Sequence, residues 1–74
     1  MKKIIDSRQE LGMRIRYLRQ SKGLTIEALS FEAGLNRNYL SDMERGKRNP
    51  TVLVLQKVAK ALDITLETLF KGIN

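Results

Sequence analysis

Cysteine and histidine are both absent from this 74-residue chain. Without cysteine there is neither a disulfide nor a thiolate metal site to staple a small fold. Without histidine there is no imidazole to ligate a metal or to shuttle protons. Acid–base work would fall to carboxylates, lysines and hydroxyls, and Glu27, Glu32, Asp42 and Glu44 show no spacing that demands a paired-carboxylate site. An enzyme is therefore the weakest reading, and no catalytic residue, metal, cofactor or small-molecule ligand is expected. A single proline, few glycines and almost no β-branched alternation argue against strands and for an all-helical chain. No apolar run approaches the ~18 residues that would span a bilayer. The opening Met1-Lys2-Lys3-Ile4-Ile5 is too short for a signal peptide. The expectation is a cytoplasmic protein with no membrane partner.

What the chain does have is positive charge, a formal net of +6. That balance points to an anionic partner: nucleic acid first, an acidic membrane or protein second. Arg8, Arg14, Arg16, Arg19 and Lys22 face only Glu10 in the first helical stretch, and arginine is the better phosphate ligand. The length allows one small domain of modest stability, residues 1–74, which must rely on efficient helix packing with dimerisation as a further aid.

Periodicity predicts five helices. The first begins at Asp6 or Ser7 and runs to Ser21 or Lys22, stopped by Gly23. Its stripe is Leu11, Ile15 and Leu18, and Gly12 beside that stripe suggests close approach of another backbone. Residues 1–5 read as an arm or an extra helical turn. Thr25 caps a second helix, Ile26 to Ala33, with Leu29 and Ala33 in the core and Phe31 packed on the flank. Gly34-Leu35 is a tight turn into the third helix. After Gly46 comes the cationic loop Lys47-Arg48-Asn49-Pro50. Thr51 caps the fourth helix, whose buried stripe is Leu55, Val58, Ala59 and Leu62. Asp63-Ile64 connects to a last helix, capped by Thr65, carrying Leu66, Leu69 and Phe70, and closed by Gly72.

The third helix sets the function. Asn36 caps it, because its side-chain oxygen can accept a free N–H of the first turn, and Gly46 supplies the left-handed residue that ends it. Leu40, Met43 and Glu44 fall on one side. Asn38, Ser41, Asp42 and Arg45 fall on the other, with Arg37 flaring from the first turn. A helix this short is unstable alone, so other elements must clamp it. Helix, short glycine turn, helix is the helix-turn-helix layout, in which the second helix enters the major groove.

The strings Ile15-Arg-Tyr-Leu-Arg19, Lys22-Gly-Leu-Thr25, Gly34-Leu-Asn36, Tyr39-Leu-Ser41, Glu44-Arg-Gly46, Pro50-Thr51 and Val58-Ala-Lys-Ala-Leu62 carry a resemblance, with Leu29 between them. From about Leu11 to Phe70 the chain resembles the Cro and phage-repressor (XRE) family of helix-turn-helix proteins. The run from Arg37 to Asn49 also looks like the small controller proteins of restriction–modification systems. The resemblance implies a compact, five-helix, lambda-repressor-like DNA-binding domain. It implies a sequence-specific transcriptional regulator of double-stranded DNA, acting as a homodimer on a two-fold related operator. An antitoxin that also binds DNA is the alternative, and a toxin or RNA polymerase stays open as a further contact. With so little chain past the fifth helix, no separate ligand-binding domain is expected.

By resemblance, Arg37, Asn38 and Asp42 meet base edges. The chemistry suits guanine, adenine and cytosine respectively. Asp42 is equally suited to pairing with Arg45 or Arg37, and Ser41 to a base, a phosphate or space-filling. Phosphate contacts fall to Thr25, Asn36, Arg45, Lys47, Arg48 and Asn49. Tyr39 sits at the edge of the buried stripe, where its ring suits a structural role and its hydroxyl could reach the DNA backbone. Ile26 departs from the glutamine often found after the cap, so it can neither contact phosphate nor steady the third helix's side chains. Glu44, on the inward side, needs a cation, and the resemblance supplies Arg19. Leu53, Val54, Leu66, Phe70 and Ile73, apolar residues outside the core stripes, are the expected dimer interface.

Overall fold

A computed structural model describes residues 7–71, which form five α-helices and, among the described residues, no strand. The expectations for residues 1–5, Asp6, Gly72 and Ile73 lie outside the described residues. The helices are α1 (Ser7–Ser21), α2 (Ile26–Ala33), α3 (Arg37–Glu44), α4 (Val52–Ala61) and α5 (Leu66–Phe70). This is the all-α, five-helix architecture expected from the pattern.

The last four helices start on a side-chain cap. Thr25, Thr51 and Thr65 each turn a hydroxyl oxygen onto the N–H three residues ahead, at 3.0–3.2 Å. Asn36 Oδ1 accepts two N–H groups, from Asn38 at 2.8 Å and Tyr39 at 3.2 Å. Each such cap stabilises its helix by about 1 kcal/mol.

The helix ends share a second device. At Gly34 the chain turns left-handed (φ 67°), and the N–H of Leu35 reaches back to the carbonyl of Ser30 at 2.8 Å. The same closure recurs from Leu24 to Arg19, Lys47 to Asp42 and Ile64 to Ala59. In the last the left-handed residue is Asp63 (φ 58°), the one non-glycine in this region among the described residues. The residue after the turn is apolar and packed on the core at Leu24, Leu35 and Ile64. Each is followed directly by the cap of the next helix, so a three-residue unit turns the chain, anchors it and restarts it. Lys47 breaks the pattern: a cation stands there, exposed.

Every helix gives the core a side chain with no exposed surface: Ile15, Leu29, Leu40, Val58 and Leu69, joined by Leu62. Burying one such side chain is worth about 1.5–3 kcal/mol. Phe31 corrects the sequence expectation. It is 84% exposed rather than packed on a flank. Leu29, Ser30 and Ala33 turn the buried side of α2 inward, and Phe31, two residues past Leu29, is carried ~200° round the helix.

Two contacts clamp α3 onto α1. A Cβ on Gly12 would lie 2.6 Å from the Glu44 carbonyl oxygen and closer still to that of Met43, so only a bare Cα fits the crossing. About two turns further along α1, the Arg19 guanidinium meets the Glu44 carboxylate through two hydrogen bonds, Nε–Oε2 at 2.7 Å and Nη2–Oε1 at 3.0 Å. Its Nη1 donates to the Leu24 carbonyl at 2.8 Å. The two side chains are only 9% and 4% exposed, and the bond to Glu44 raises the pKa of Arg19 above its ordinary value.

Two predictions follow from this seam. Gly12→Ala, which would ordinarily strengthen a helix by ~1 kcal/mol, is expected here to destabilise by about 1–3 kcal/mol through overpacking. Denaturant titration checks the sign, and a gain in stability would mean that the seam opens freely. Glu44→Ala leaves a buried guanidinium without its counter-ion and is expected to cost about 3–5 kcal/mol. A loss within about half a kcal/mol, the size typical of surface changes, would show that the pair contributes like an exposed one.

Candidate nucleic-acid interface

With Leu40, Met43 and Glu44 buried, α3 presents its other side outward. Arg37 and Asn38 are exposed in the first turn, and Ser41 and Asp42 are half-buried one turn on. The neighbouring exposed groups are Thr25 and Asn36 at the two helix starts, and Arg45, Lys47, Arg48 and Asn49 after α3. The structure therefore gathers the expected base-reading and phosphate-binding residues around one short helix and its flanking turns. The caps are already partly committed. Thr25 Oγ1 and Asn36 Oδ1 accept backbone N–H groups. What remains for a phosphate is the threonine hydroxyl proton and the asparagine amide.

Several charged side chains at this edge are held by ion-pair partners, one of them across the two helices. Arg37 Nε donates to Glu27 Oε2 at 2.6 Å, linking the start of α3 to the first turn of α2. That bond holds the Glu27 carboxyl below its ordinary pKa, with a smaller contribution from the field of Arg19. Asp42 accepts from Arg45 Nη2 at 2.7 Å and lies 3.4 Å from Arg48 Nε. Its carboxyl is pulled down chiefly by the bond to Arg45. Of the two roles open to Asp42, the observed contacts are those of an intramolecular partner, to Arg45 and Arg48 and not to Arg37. The Arg48 guanidinium also lies 5.2 Å from the centroid of the half-buried Tyr39 ring, at cation–π distance.

The expected dimer residues are less uniform. Leu53 is 70% and Phe70 41% exposed. Val54 and Leu66 are half-buried and packed against the core. Leu66 lines a shallow groove with Gln56 and Ala59, on the α5 side of α4. Helical phase puts Val52 on that side and Val54 on the opposite flank, with Ala61. Val52, 62% exposed, is an apolar residue that the sequence reading passed over. Arg14 was likewise missed as a structural residue. It donates to the carbonyls of Thr68 (2.9 Å) and Leu69 (3.3 Å) at the C-terminal end of α5, the first of which also accepts the Lys71 N–H. No local signal marks that contact, since the partners are more than fifty residues apart.

Comparison with known proteins adds three likenesses and a family. Residues 15–69 match the HTH_3 helix-turn-helix family. An uncharacterised HTH-type transcriptional regulator, y4dJ of Sinorhizobium fredii (strain NGR234), is 43% identical over 61 residues, covering 82% of this chain and 79% of that protein. The control protein C.MunI of a Mycoplasma species is 36% identical over 70 residues, covering 93% and 95%. The crystal structure of the restriction–modification controller protein C.AhdI from Aeromonas hydrophila superposes with a TM-score of 0.84 at 44% identity, covering 85% of this chain and 96% of that one. Some other curated relatives are longer, and the chain spans 50–54% of their length. No helix among the described residues is long and apolar enough to cross a membrane.

Proposed function

The chain belongs to the HTH_3 helix-turn-helix family, and from that premise we propose that it is a sequence-specific, double-stranded-DNA-binding transcriptional regulator. It acts as a homodimer on a two-fold related operator and is of the kind that controls a restriction–modification system. The observation that carries this is α3 itself: a short helix clamped at its back by Arg19 and Gly12, with Arg37 and Asn38 outward and cations on the turn that follows. The names of C.MunI and C.AhdI favour the controller over the antitoxin.

In this reading Arg37 grips guanine and Asn38 grips adenine, with Ser41 beside them. Each pairing is bidentate or close to it, and each discriminates one base pair from the others. Asp42 holds Arg45 and Arg48 in place for phosphates. Thr25, Asn36, Tyr39, Lys47 and Asn49 complete the backbone contacts, and the N–H groups at the α2 start add the dipole's positive end. The second copy docks through the α4–α5 side, where Val52, Leu66 and Phe70 are the apolar anchors, with Leu53 toward the rim. Val54, turned to the other flank, is left out.

Two experiments test this. Binding-site selection on randomised duplex DNA supplies a cognate sequence, on which Arg37→Ala should lose about 1–3 kcal/mol per half-site and relax preference at one base pair. Lys47→Ala should weaken cognate and scrambled duplexes alike and lower the salt slope by about one unit. Equal losses on both duplexes for Arg37→Ala would make it a phosphate clamp and would remove α3 from the groove. Separately, Phe70→Glu, at an exposed position, should give monomers in sedimentation and a loss of binding to paired half-sites spaced by one turn, ~34 Å. A stable dimer in that variant would move the interface elsewhere.

A further inference from the structure

We infer that Glu27 is a positioning residue for base reading: it binds the Nε–H of Arg37 and so fixes which edge of that guanidinium is offered to the DNA. The inference rests on the proposed role of Arg37 as a base reader. Its basis is the 2.6 Å bond between Arg37 Nε and Glu27 Oε2, which joins the two helices of the helix-turn-helix at their outer edge.

An arginine side chain loses much rotamer freedom when it grips a base, and that loss weakens binding unless the side chain is already held. Arg37 is 55% exposed, so packing alone restrains it little. Ile26, the first residue of α2, has no polar side-chain atom to offer. Glu27, the next residue, has one, and its own backbone is fixed by the Thr25 cap and by Leu29 and Ala33 in the core. Holding Nε leaves Nη1 and Nη2 free, and these two can donate together to the O6 and N7 of guanine. Glu27 stays charged, because the bond from Arg37 holds its carboxyl below the ordinary pKa. An exposed pair of this kind adds little to folding, so stability does not account for its geometry.

Electrostatics and positioning predict opposite signs. A carboxylate beside phosphates repels them, so removing it should by charge alone tighten binding to every duplex alike. Positioning predicts that the ratio of cognate to scrambled affinity falls. The experiment uses the full chain, the selected cognate duplex and its scrambled counterpart, with Glu27→Ala, Arg37→Ala and the double variant. The expected result is that Glu27→Ala lowers the ratio about tenfold, a share of the discrimination that one bidentate contact provides. In the Arg37→Ala background the same change should leave the ratio where it was, because nothing remains to be positioned. Thermal melting should be unchanged to within a few degrees, since the site is exposed. If Arg37→Ala lowers the ratio and Glu27→Ala does not, or lowers it equally in both backgrounds, Glu27 is no positioning residue. If Arg37→Ala itself leaves the ratio unchanged, the base-reading role fails and this inference falls with it.

Discussion

The contact between Arg19 and Glu44 is the constraint on which the rest depends. Glu44 is the last residue of α3, where the partial negative charge of the helix end disfavours a carboxylate, and it is also buried. Both penalties would expel it if no cation met it inside. Arg19 meets it with two hydrogen bonds and uses its remaining nitrogen on the Leu24 carbonyl, in the turn that leads to α2. One guanidinium thus ties α1, the start of the helix-turn-helix and the back of α3. None of the three can shift without leaving a buried charge unpaired, which costs more than a lost apolar contact of similar size. Gly12 makes the contact possible by letting α1 and α3 approach to backbone distance.

Most of this scaffold is legible in the sequence because its determinants are local. Thr25, Asn36, Thr51 and Thr65 each announce a helix start by a hydrogen bond spanning two or three residues, and the stripes of α1 and α4 follow the helical period. Gly12 was readable as a point of close approach, since an interior glycine beside an apolar stripe has few other uses. Phe31 departs from its expected place for the converse reason. An aromatic invites burial, but α2 has only two turns, and Leu29 and Ala33 had already fixed which side faced in. The pair Asp63-Ile64 marks a connection in the sequence but not its left-handed backbone. Aspartate tolerates that conformation yet does not advertise it as glycine does.

The interface was legible at the level of the helix face and not at the level of the contact. Outward and inward residues of α3 separate by phase alone. Which cation pairs with which anion depends on how two helices sit, and Glu27 and Arg37 are ten residues apart on different helices. The same limit applies to the apolar residues of α4. Val52 and Val54 differ by two positions and by most of a half-turn, so only the placement of α5 decides which of them accompanies Leu66.

The pairings also change how the positive charge should be counted. Summed by residue, the edge around α3 carries Arg37, Arg45, Lys47 and Arg48 against Glu27 and Asp42. Summed by contact, Arg37 and Glu27 cancel, and Asp42 offsets one of the two arginines it touches. Lys47 stands in the one connector position that elsewhere holds Leu24, Leu35 or Ile64. A cation in place of an apolar anchor there suits an anionic partner. The unpaired part of the field therefore sits on the turn after α3, where Arg45 and Arg48 share Asp42 and Arg48 also meets the Tyr39 ring, whereas Arg37, the one cation within the helix, is restrained by Glu27. A field concentrated on the turn attracts any polyanion, and in the proposed reading the restrained Arg37 on the helix favours a partner of matching shape. On that reading general attraction and selectivity fall to different residues, which keeps non-specific affinity from growing in step with the number of arginines.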